Sequence, residues 1–259
     1  MLKIFNFYHK PAYVFQTPFL IPIHAGKAIS KHILNMIGDN TGINISNKNK
    51  YYGELTGMYW VWKNIQSEYI GFCHYRRYFN FSAPRAFDFI HHDILKDSPQ
   101  VYTPNTNVLK YDIVVPQPLK LNQSIESQYI YNHRQNDWEM LISIIKKKYP
   151  AYSLNVVKNQ YLYPYNMFIA KYDIFIFYME FLFDLLFELE SKIVLPPEHL
   201  YQSRVFGFIG ERLLTIFIDM VRSNQFPYLK QLSIAQMQTL FVKNYEPLVF
   251  KNNSFERLT

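Results

Sequence analysis

The sequence predicts an α/β fold, in which short strands and longer helices alternate along a chain of 259 residues. Runs rich in β-branched and aromatic residues alternate with segments whose apolar residues recur at helical spacing. Apolar residues make up 49% of the chain and charged residues 18%, which is enough to bury a core and excludes a disordered chain. No internal repeat or low-complexity segment interrupts this pattern. The length suits one large domain, or one domain with a modest appendage.

The individual elements follow from local patterns in the sequence. Residues 3–8 are rich in apolar and aromatic side chains, which predicts a first strand. Residues 51–65 are predicted to form one helix because Leu55, Met58 and Trp62 recur on one face. The complete set of predicted elements is strands at 3–8, 69–73, 111–115 and 166–170, and helices at 26–37, 51–65, 137–148, 174–192 and 204–221.

The chain is predicted to divide near residue 225. Residues 1–225 are expected to form the main domain, and residues 226–259 an extension that either packs on this domain or contacts a membrane. The most apolar segment, 174–189, is interrupted by three acidic residues and is not predicted to span a membrane. The residues of the extension that suit an anionic bilayer surface are Lys243, Lys251, Arg257, Phe241, Phe250 and Phe255.

Charge and cysteine content narrow the classes of function. Lys and Arg number 27 against 20 Asp and Glu, and a net charge of +7 suggests an anionic partner such as a phosphate, a nucleic acid or an acidic membrane surface. The single cysteine, Cys73, excludes an internal disulfide and is predicted to be a small buried apolar residue. A reducing, cytoplasmic compartment is expected, since the first residues also lack the pattern of a signal peptide. The sequence contains no dinucleotide-binding glycine motif, no P-loop and no Asp-x-Asp pair.

The densest group of chemically active residues directly follows the predicted strand 69–73. His74, Arg76 and Arg77 stand there among aromatic residues that include Tyr75. Ligands of open α/β sheets bind at the carboxyl ends of strands. The planar guanidinium matches phosphate oxygens, so two adjacent arginines can neutralise a diphosphate without a metal ion, while a tyrosine ring can stack on a base or a sugar.

The alternative for this group is an exposed basic turn, or arginines that are paired with carboxylates such as Asp88 or Asp93. We favour the phosphate site, because a cluster of arginines and aromatic residues at the end of a strand is typical of a ligand site.

Other candidate residues are distributed along the chain. Ser46 and Asn49 are good helix caps, although a helix N-terminus can also bind an anion. Glu54 is a candidate catalytic carboxylate or a member of a salt bridge. Asn166 begins a predicted strand. Glu211 follows two glycines near a helix, where it is either a general base or half of a surface ion pair with the next residue.

Several of these segments together resemble a known family. The segments are 39–46, 49–64 (NKYYGELTGMYWVWKN), 73–79 (CHYRRYF), 111–116, 163–169 and 207–213 (GFIGERL). They resemble the bacterial capsule and exopolysaccharide glycosyltransferases first catalogued as a domain of unknown function. The resemblance extends from the first strand to about residue 221, and the CHYRRYF string is its most specific part.

The resemblance implies a GT-A-like α/β sandwich, with a mainly parallel central sheet and a helical C-terminal part. It implies transfer of a hexose, such as galactose in pyranose or furanose form, from a UDP-linked donor. The acceptor would be a lipid-linked glycan in capsule, exopolysaccharide or O-antigen synthesis, at the cytoplasmic face of the membrane. In that fold a metal-binding Asp-x-Asp follows a central strand, whereas here His74, Arg76 and Arg77 follow it. We hypothesise that arginine charge replaces the metal ion, and a divalent metal remains the alternative.

These considerations assign a role to each candidate. Arg76 and Arg77 would bind the diphosphate, His74 would orient a phosphate or a sugar hydroxyl, and Glu211 would be the general base. Asp112 and Glu54 are the reserve bases. The candidates for binding the donor are Gly26, Asn44, Ser46, Asn49, Glu54, Tyr75, Asp112 and Asn166.

Two alternatives belong to other classes of function. One is a non-catalytic module that binds carbohydrate or nucleic acid, and the other is a structural partner in a polysaccharide-synthesis complex. Arginines at the end of a central strand favour the enzyme, whereas basic residues spread over one face would favour the module. With the enzyme as the preferred interpretation, no nucleic-acid partner is expected.

Overall fold

The fold is that of a computed structural model, which describes residues 1–14, 17–81, 89–91, 106–197, 201–229, 231–243, 250–251 and 254–255. Its strands are β1 (Leu2–Tyr8), β2 (Leu20–His24), β3 (Ile37–Gly38), β4 (Tyr69–His74), β5 (Arg77–Phe79), β6 (Phe89–His91), β7 (Ile113–Pro116), β8 (Leu119–Lys120), β9 (Tyr161–Leu162), β10 (Phe168–Lys171), β11 (Ile234–Met237), β12 (Thr239–Lys243), β13 (Phe250–Lys251) and β14 (Ser254–Phe255). The α-helices are α1 (Asn49–Tyr52), α2 (Leu55–Asn64), α3 (Ile125–Asn132), α4 (Gln135–Lys148), α5 (Tyr172–Glu190) and α6 (Val205–Arg222).

The main sheet has the order β11-β7-β10-β4-β1-β2-β3, with β5, β6 and β12 attached beside β4. Along the order from β11 to β3, neighbouring strands are parallel except that β10 is antiparallel to β4 and to β7. Among the attached strands, β5 is antiparallel to β4 and to β12, and β12 is parallel to β6. The predicted α/β fold with a mainly parallel central sheet is therefore confirmed. β4 lies in the middle of this order, so the strand that precedes the two arginines is central.

The two central strands are apolar on both faces, because each face is covered by other parts of the chain. Phe5, Phe7 and Phe72 contribute to the larger core, which the helices complete. Ile4 and Cys73 point to the other face, into a smaller core. The prediction that Cys73 is a buried apolar residue is confirmed, since it is fully buried.

The longest helices, α5 and α6, contribute most of the helical side of the core. α5 buries ten of its residues, and the acidic stripe along its other face forms surface ion pairs. Lys148 contacts Asp184 at 2.7 Å and Glu188 at 3.0 Å. Among the described residues no helix is both long and apolar enough to cross a bilayer.

Two predicted helices differ from the structure. The helix expected at 26–37 is wrong, since it is reduced to one 3₁₀ turn, Lys27–Ile29, followed by irregular chain and β3. No residue of that turn is buried and Ile33 is fully exposed, so an apolar face there would have no core to pack against. The helix expected at 51–65 is interrupted between α1 and α2, because Gly53 adopts φ 56° and ψ −133°, outside the helical region.

The C-terminal segment contributes to the main sheet. β11 pairs in parallel with β7, and β12 pairs with β5 and β6. Phe226 and Leu229 belong to the larger core. β13 and β14 pair with each other. Among the residues proposed for membrane contact, the side chains of Lys243, Lys251, Arg257, Phe250 and Phe255 lie outside the described residues.

Candidate active site

The carboxyl ends of the parallel strands bring the candidate residues to one edge of the sheet. β1, β2, β4 and β7 all end there, and antiparallel β10 begins there. The segment that enters β10, residues 163–166, therefore lies beside the turn that leaves β4. This edge is where a ligand of an open α/β sheet is expected.

Arg76 lies in the tight turn between β4 and β5, and Arg77 begins β5, where it pairs with His74; we call residues 74–77 the arginine turn. The Arg76 guanidinium lies 4.9 Å from the ring centre of Tyr75, and that of Arg77 lies 4.3 Å from the ring centre of Tyr165. Both also lie near Phe241, at 5.5 Å and 5.3 Å. Aromatic faces hold a guanidinium in place without using its hydrogen-bond donors.

The two guanidinium groups retain donors for an anion. Within the described part of the chain neither Arg76 nor Arg77 forms an ion pair, and Nε of Arg76 is buried without a hydrogen-bond partner. A buried charged donor without a partner is costly, so a ligand that supplies an acceptor would be stabilised there. The alternative partners Asp88 and Asp93 lie outside the described residues.

The segment before β10 connects His74 to two carboxylates. Tyr165 and Asn166 have φ of 71° and 51°, in the left-handed region that non-glycine residues seldom adopt. Nε2 of His74 contacts the carbonyl oxygen of Tyr165. The backbone N–H of Tyr165 donates to Oε1 of Glu211 at 3.2 Å, and Nδ2 of Asn166 donates to Oε1 of Glu54 at 2.8 Å. This strained segment thus contacts both carboxylates, and the ring of Tyr165 on the same segment faces the Arg77 guanidinium.

Asn166 is clamped against α6. Its Nδ2 also donates to the carbonyl oxygen of Gly207 at 3.2 Å, while its Oδ1 is buried without a partner. A Cβ on Gly210 would lie 2.8 Å from Oδ1 of Asn166, so the close packing of Asn166 against α6 requires glycine at position 210. The free Oδ1 is an acceptor that a ligand hydroxyl can satisfy.

The surroundings of Glu211 favour its protonated form. Burial raises the pKa of Glu211 above its ordinary value, the adjacent Arg212 partly offsets this, and Glu54 raises it further. Nη1 of Arg212 lies 3.0 Å from Oε2 of Glu211. The predicted pairing of these neighbours is therefore present, but it is partly buried and not a surface pair, because the side chain of Arg212 is 3% exposed and that of Glu211 24%. A carboxyl with a raised pKa is suited to act as a general base near neutral pH.

The site also includes two residues that the sequence analysis did not select, Arg204 and His9. Nη2 of Arg204 lies 3.3 Å from Oε2 of Glu54. The ring of His9 meets that of Tyr75 edge-on at 5.3 Å, and desolvation together with the charges of Arg204 and Lys10 lowers the pKa of His9. His9 directly follows β1, and that position after a central strand was the signal in the sequence that could have identified it.

Three of the predicted donor-binding residues shape the turn after β2. The fully buried carboxylate of Asp39 accepts the N–H of Gly26 at 2.8 Å and the hydroxyl of Ser46 at 2.5 Å. Nδ2 of Asn49 donates to the carbonyl oxygen of Gly53 at 2.7 Å, and a Cβ on Gly26 would collide with the Asn49 side chain. The structure thus gives Ser46 and Asn49 internal partners, and Gly26 the left-handed φ of 73° that the turn requires.

Two other candidates lie away from the arginine turn. Asn44 is in an exposed loop, where its Nδ2 donates to the carbonyl oxygen of Gly42 at 3.0 Å. Asp112 precedes β7 and so lies at the opposite edge of the sheet, where it contacts Lys171 at 2.7 Å and accepts the hydroxyl of Ser233 at 2.6 Å. Although partial burial opposes it, these hydrogen bonds lower the pKa of Asp112. The structure therefore places Asp112 away from the site, and it gives Asn44 partners within its own loop.

Among the described residues no group of three or more His, Cys, Asp or Glu side chains is placed to hold a metal ion. The polar residues at the end of central strand β4 are His74, Arg76 and Arg77, none of which carries a carboxylate.

Comparison with known proteins supports two parts of the resemblance, the family catalogued as a domain of unknown function and the likeness to a glycosyltransferase. The model of the family described as "Domain of unknown function (DUF4422)" matches residues 3–224. Among solved structures, the chain is similar to the WbbM bifunctional glycosyltransferase in its apo form, with a TM-score of 0.82 and 31% sequence identity. The similarity covers 94% of this chain and 45% of that one, so the chain spans less than half the length of that protein. No curated protein matches the chain.

Proposed function

The chain belongs to the DUF4422 family, and from that membership, together with its likeness to a bifunctional glycosyltransferase, we propose that it is a glycosyltransferase that uses a nucleotide-sugar donor. The observation that carries the proposal is the pair of guanidinium groups at the end of central strand β4, which have no ion-pair partners among the described residues. Tyr165 connects them to the proposed base, because its ring faces Arg77 and its backbone N–H donates to Glu211. Arginines at the end of a central strand favour an enzyme over a non-catalytic module, whose basic residues would be spread over one face.

Arg76 and Arg77 bind the diphosphate of the donor in this proposal. The rings of Tyr75 and Tyr165 hold the two planar groups, and the buried Nε of Arg76 gains the acceptor that it lacks. Each arginine that contacts a buried phosphate is expected to contribute about 2–3 kcal/mol. Their positive charge also stabilises the negative charge that develops on the leaving nucleotide.

The transfer itself requires one base. The oxygen of an acceptor hydroxyl attacks C1 of the donor sugar, and the bond from C1 to the phosphate oxygen breaks with its electron pair leaving on the nucleotide diphosphate. The proton of the hydroxyl passes to Glu211, whose pKa is raised by burial. Direct attack of this kind inverts the configuration at C1. Asn166 offers its free Oδ1 to a sugar hydroxyl, and His74 holds the Tyr165 segment in place.

The finer parts of the proposal rest on the resemblance of sequence segments. The donor is UDP-linked, the sugar is a hexose such as galactose in pyranose or furanose form, and the acceptor is a lipid-linked glycan of capsule, exopolysaccharide or O-antigen synthesis. The enzyme would work in the cytoplasm at the inner face of the membrane. If arginine charge takes the place of a metal ion, activity should persist in excess chelator. A strict requirement for Mn²⁺ or Mg²⁺ would contradict this replacement.

The proposal is tested with a panel of nucleotide sugars and purified protein, by measuring the release of free nucleotide. The double variant Arg76→Ala, Arg77→Ala is expected to lose at least a hundredfold in kcat/KM, because both phosphate contacts are removed. The matched control is Lys146→Ala, Lys147→Ala, which removes the same charge from exposed positions of α4.

Full activity of the double arginine variant would remove the assignment of the site. Binding of the unaltered protein to oligonucleotides but not to UDP, measured by thermal stabilisation, would favour the non-catalytic module instead.

A further inference from the structure

A cavity lies at the same edge of the sheet, on the far side of β10 from the arginine turn. Its volume is about 280 Å³, and residues at the ends of β7, β9 and β11 line it together with the last turns of α6. It includes none of the residues that bind the donor in the proposed function. Tyr161, Tyr163, Asp219, Arg222 and Gln236 are the lining residues that matter below.

One face of α6 connects this cavity to the proposed base. Glu211, Thr215, Asp219 and Arg222 are spaced four, four and three residues apart, so they follow one side of the helix. The segment 161–165 runs alongside. The hydroxyl oxygen of Thr215 accepts the N–H of Tyr163 at 2.9 Å, just as Glu211 accepts that of Tyr165. Glu211 and Arg222 are eleven positions apart in the helix, which corresponds to roughly 16 Å along its axis.

The lining of the cavity suits a neutral ligand with many hydroxyl groups. Tyr161 is 54% exposed, which leaves an aromatic face available. Nε2 of Gln236 donates to the hydroxyl of Tyr163 at 2.9 Å, and the Arg222 guanidinium lies 5.9 Å from the ring centre of Tyr163. Aromatic faces pack against the C–H faces of sugars, and planar amide, guanidinium and carboxylate groups hydrogen-bond their hydroxyls.

The charges of the cavity argue against a second phosphate site. Arg222 carries the positive charge of the lining, and Asp219, one turn before it on α6, carries a carboxylate that accepts the hydroxyl of Tyr152 at 2.5 Å. The two charges balance each other. The arginine turn, by contrast, places two positive charges next to each other, and neither forms an ion pair with a carboxylate among the described residues. A phosphate would therefore bind at the arginine turn, and an uncharged glycan in the cavity.

We propose that this cavity binds sugar units of the glycan acceptor that are remote from the unit whose hydroxyl reacts at Glu211. Because the segment 161–165 packs on the face of α6 between Glu211 and Asp219, the acceptor chain passes over this segment, and we call its path from Glu211 to the space between Tyr161 and Arg222 the acceptor groove. This inference rests on the proposed function, because it assumes that Glu211 receives the proton of the acceptor.

The test uses saturation-transfer NMR with the full chain and three neutral disaccharide probes, the methyl β-glycosides of lactose, maltose and cellobiose. UDP binding is measured in parallel. We expect at least one disaccharide to bind in addition to UDP. Tyr161→Ala and Arg222→Ala are each expected to weaken disaccharide binding at least fivefold and to retain the affinity for UDP. Both side chains are exposed, and the thermal midpoint confirms that the variants are folded. The control is Tyr131→Ala, at an 82% exposed position on α3.

The outcomes separate the two proposals. Disaccharide binding that is unchanged in both variants, or a protein that binds UDP but none of the probes, overturns the acceptor groove alone. A loss of UDP affinity in Tyr161→Ala also overturns it, because the cavity would then belong to the nucleotide. Failure of the unaltered protein to bind UDP, with disaccharide binding that depends on Tyr161, overturns the proposed donor chemistry and leaves a glycan-binding cavity.

Discussion

Glu211 shows how one side chain links stability to the proposed chemistry. Burial raises its pKa, so the folded protein binds a proton there more tightly than the unfolded chain does. As the pH rises from the ordinary pKa of a glutamate through the raised value, the unfolded chain releases the proton first. The contribution of Glu211 to the free energy of unfolding therefore falls across that window. A base that costs stability when it is ionised is common at active sites.

Glu211→Gln is predicted to lower the transfer rate by about 10²–10⁴-fold, because the proton acceptor is lost. At pH 8 the variant should be at least as stable as the unaltered protein. Its gain in the free energy of unfolding should diminish at pH 4, where Glu211 is largely protonated in both the folded and the unfolded chain. Turnover assays and urea denaturation at the two pH values measure these effects. Glu139→Gln, at an exposed position on α4, is the control and should change neither. Undiminished turnover of Glu211→Gln would rule out Glu211 as the base.

At the scale of elements, the break between α1 and α2 is what places Glu54. Gly53 turns the chain with a positive φ, and Glu54 follows it at the start of α2, where it contacts Asn166 and Arg204. A continuous helix over 51–65 would orient this carboxylate differently. The turn after β2 depends in the same way on one buried residue, since Asp39 accepts hydrogen bonds from the chain on either side of it.

Gly53→Ala is predicted to destabilise the protein by about 1–3 kcal/mol, because alanine does not readily adopt this backbone conformation. Gly207→Ala is the matched control: Gly207 lies in α6, where an added Cβ would have only ordinary contacts, the nearest at 3.5 Å from the carbonyl oxygen of Tyr52. Its effect is expected to be about 1 kcal/mol or less, and in the stabilising direction. Urea denaturation measures both values. Equal stability of the two variants would show that the turn at Gly53 tolerates a side chain.

At the scale of the whole molecule, the sheet is completed by residues far apart in sequence. β11 covers the edge of β7, and β12 covers β5 beside the arginine turn, where Phe241 contacts both guanidinium groups. The family match ends at residue 224, before these strands begin. The C-terminal segment therefore contributes to the fold and to the surroundings of the proposed donor site.

A chain that ends at residue 225 is predicted to be largely unfolded or aggregated. It would lack β11 and β12 and four buried apolar residues, Phe226, Leu229, Leu240 and Val242. Burying such side chains contributes about 1.5–3 kcal/mol each, which together approaches the total stability of a typical domain. A chain that ends at residue 249 keeps both strands and is the control. Circular dichroism and size-exclusion chromatography measure the outcome, and a folded, monomeric 1–225 chain would support a domain boundary at 225.

Much of the fold could be predicted because it follows from local patterns. The central strands are continuous apolar runs, and α4, α5 and α6 show helical spacing and lie within two residues of their expected bounds. The predicted group His74, Arg76 and Arg77 does lie at the carboxyl edge of the sheet. α3 and β2 were not predicted, since their short sequences carry weak periodicity and depend on tertiary packing for stability.

The sequence by itself determined the α/β class, the strand that directly precedes the arginines, and the absence of an Asp-x-Asp pair, because these depend on residue identity and local spacing. The tertiary structure decided that this strand is central, because strand order depends on packing. The tertiary structure decided which candidates meet. Glu54, Asn166 and Glu211 come together across more than a hundred residues, and Asp112 lies at the other edge although it precedes a strand of the same sheet. Contacts of this kind depend on strand order and direction, which local propensity does not encode.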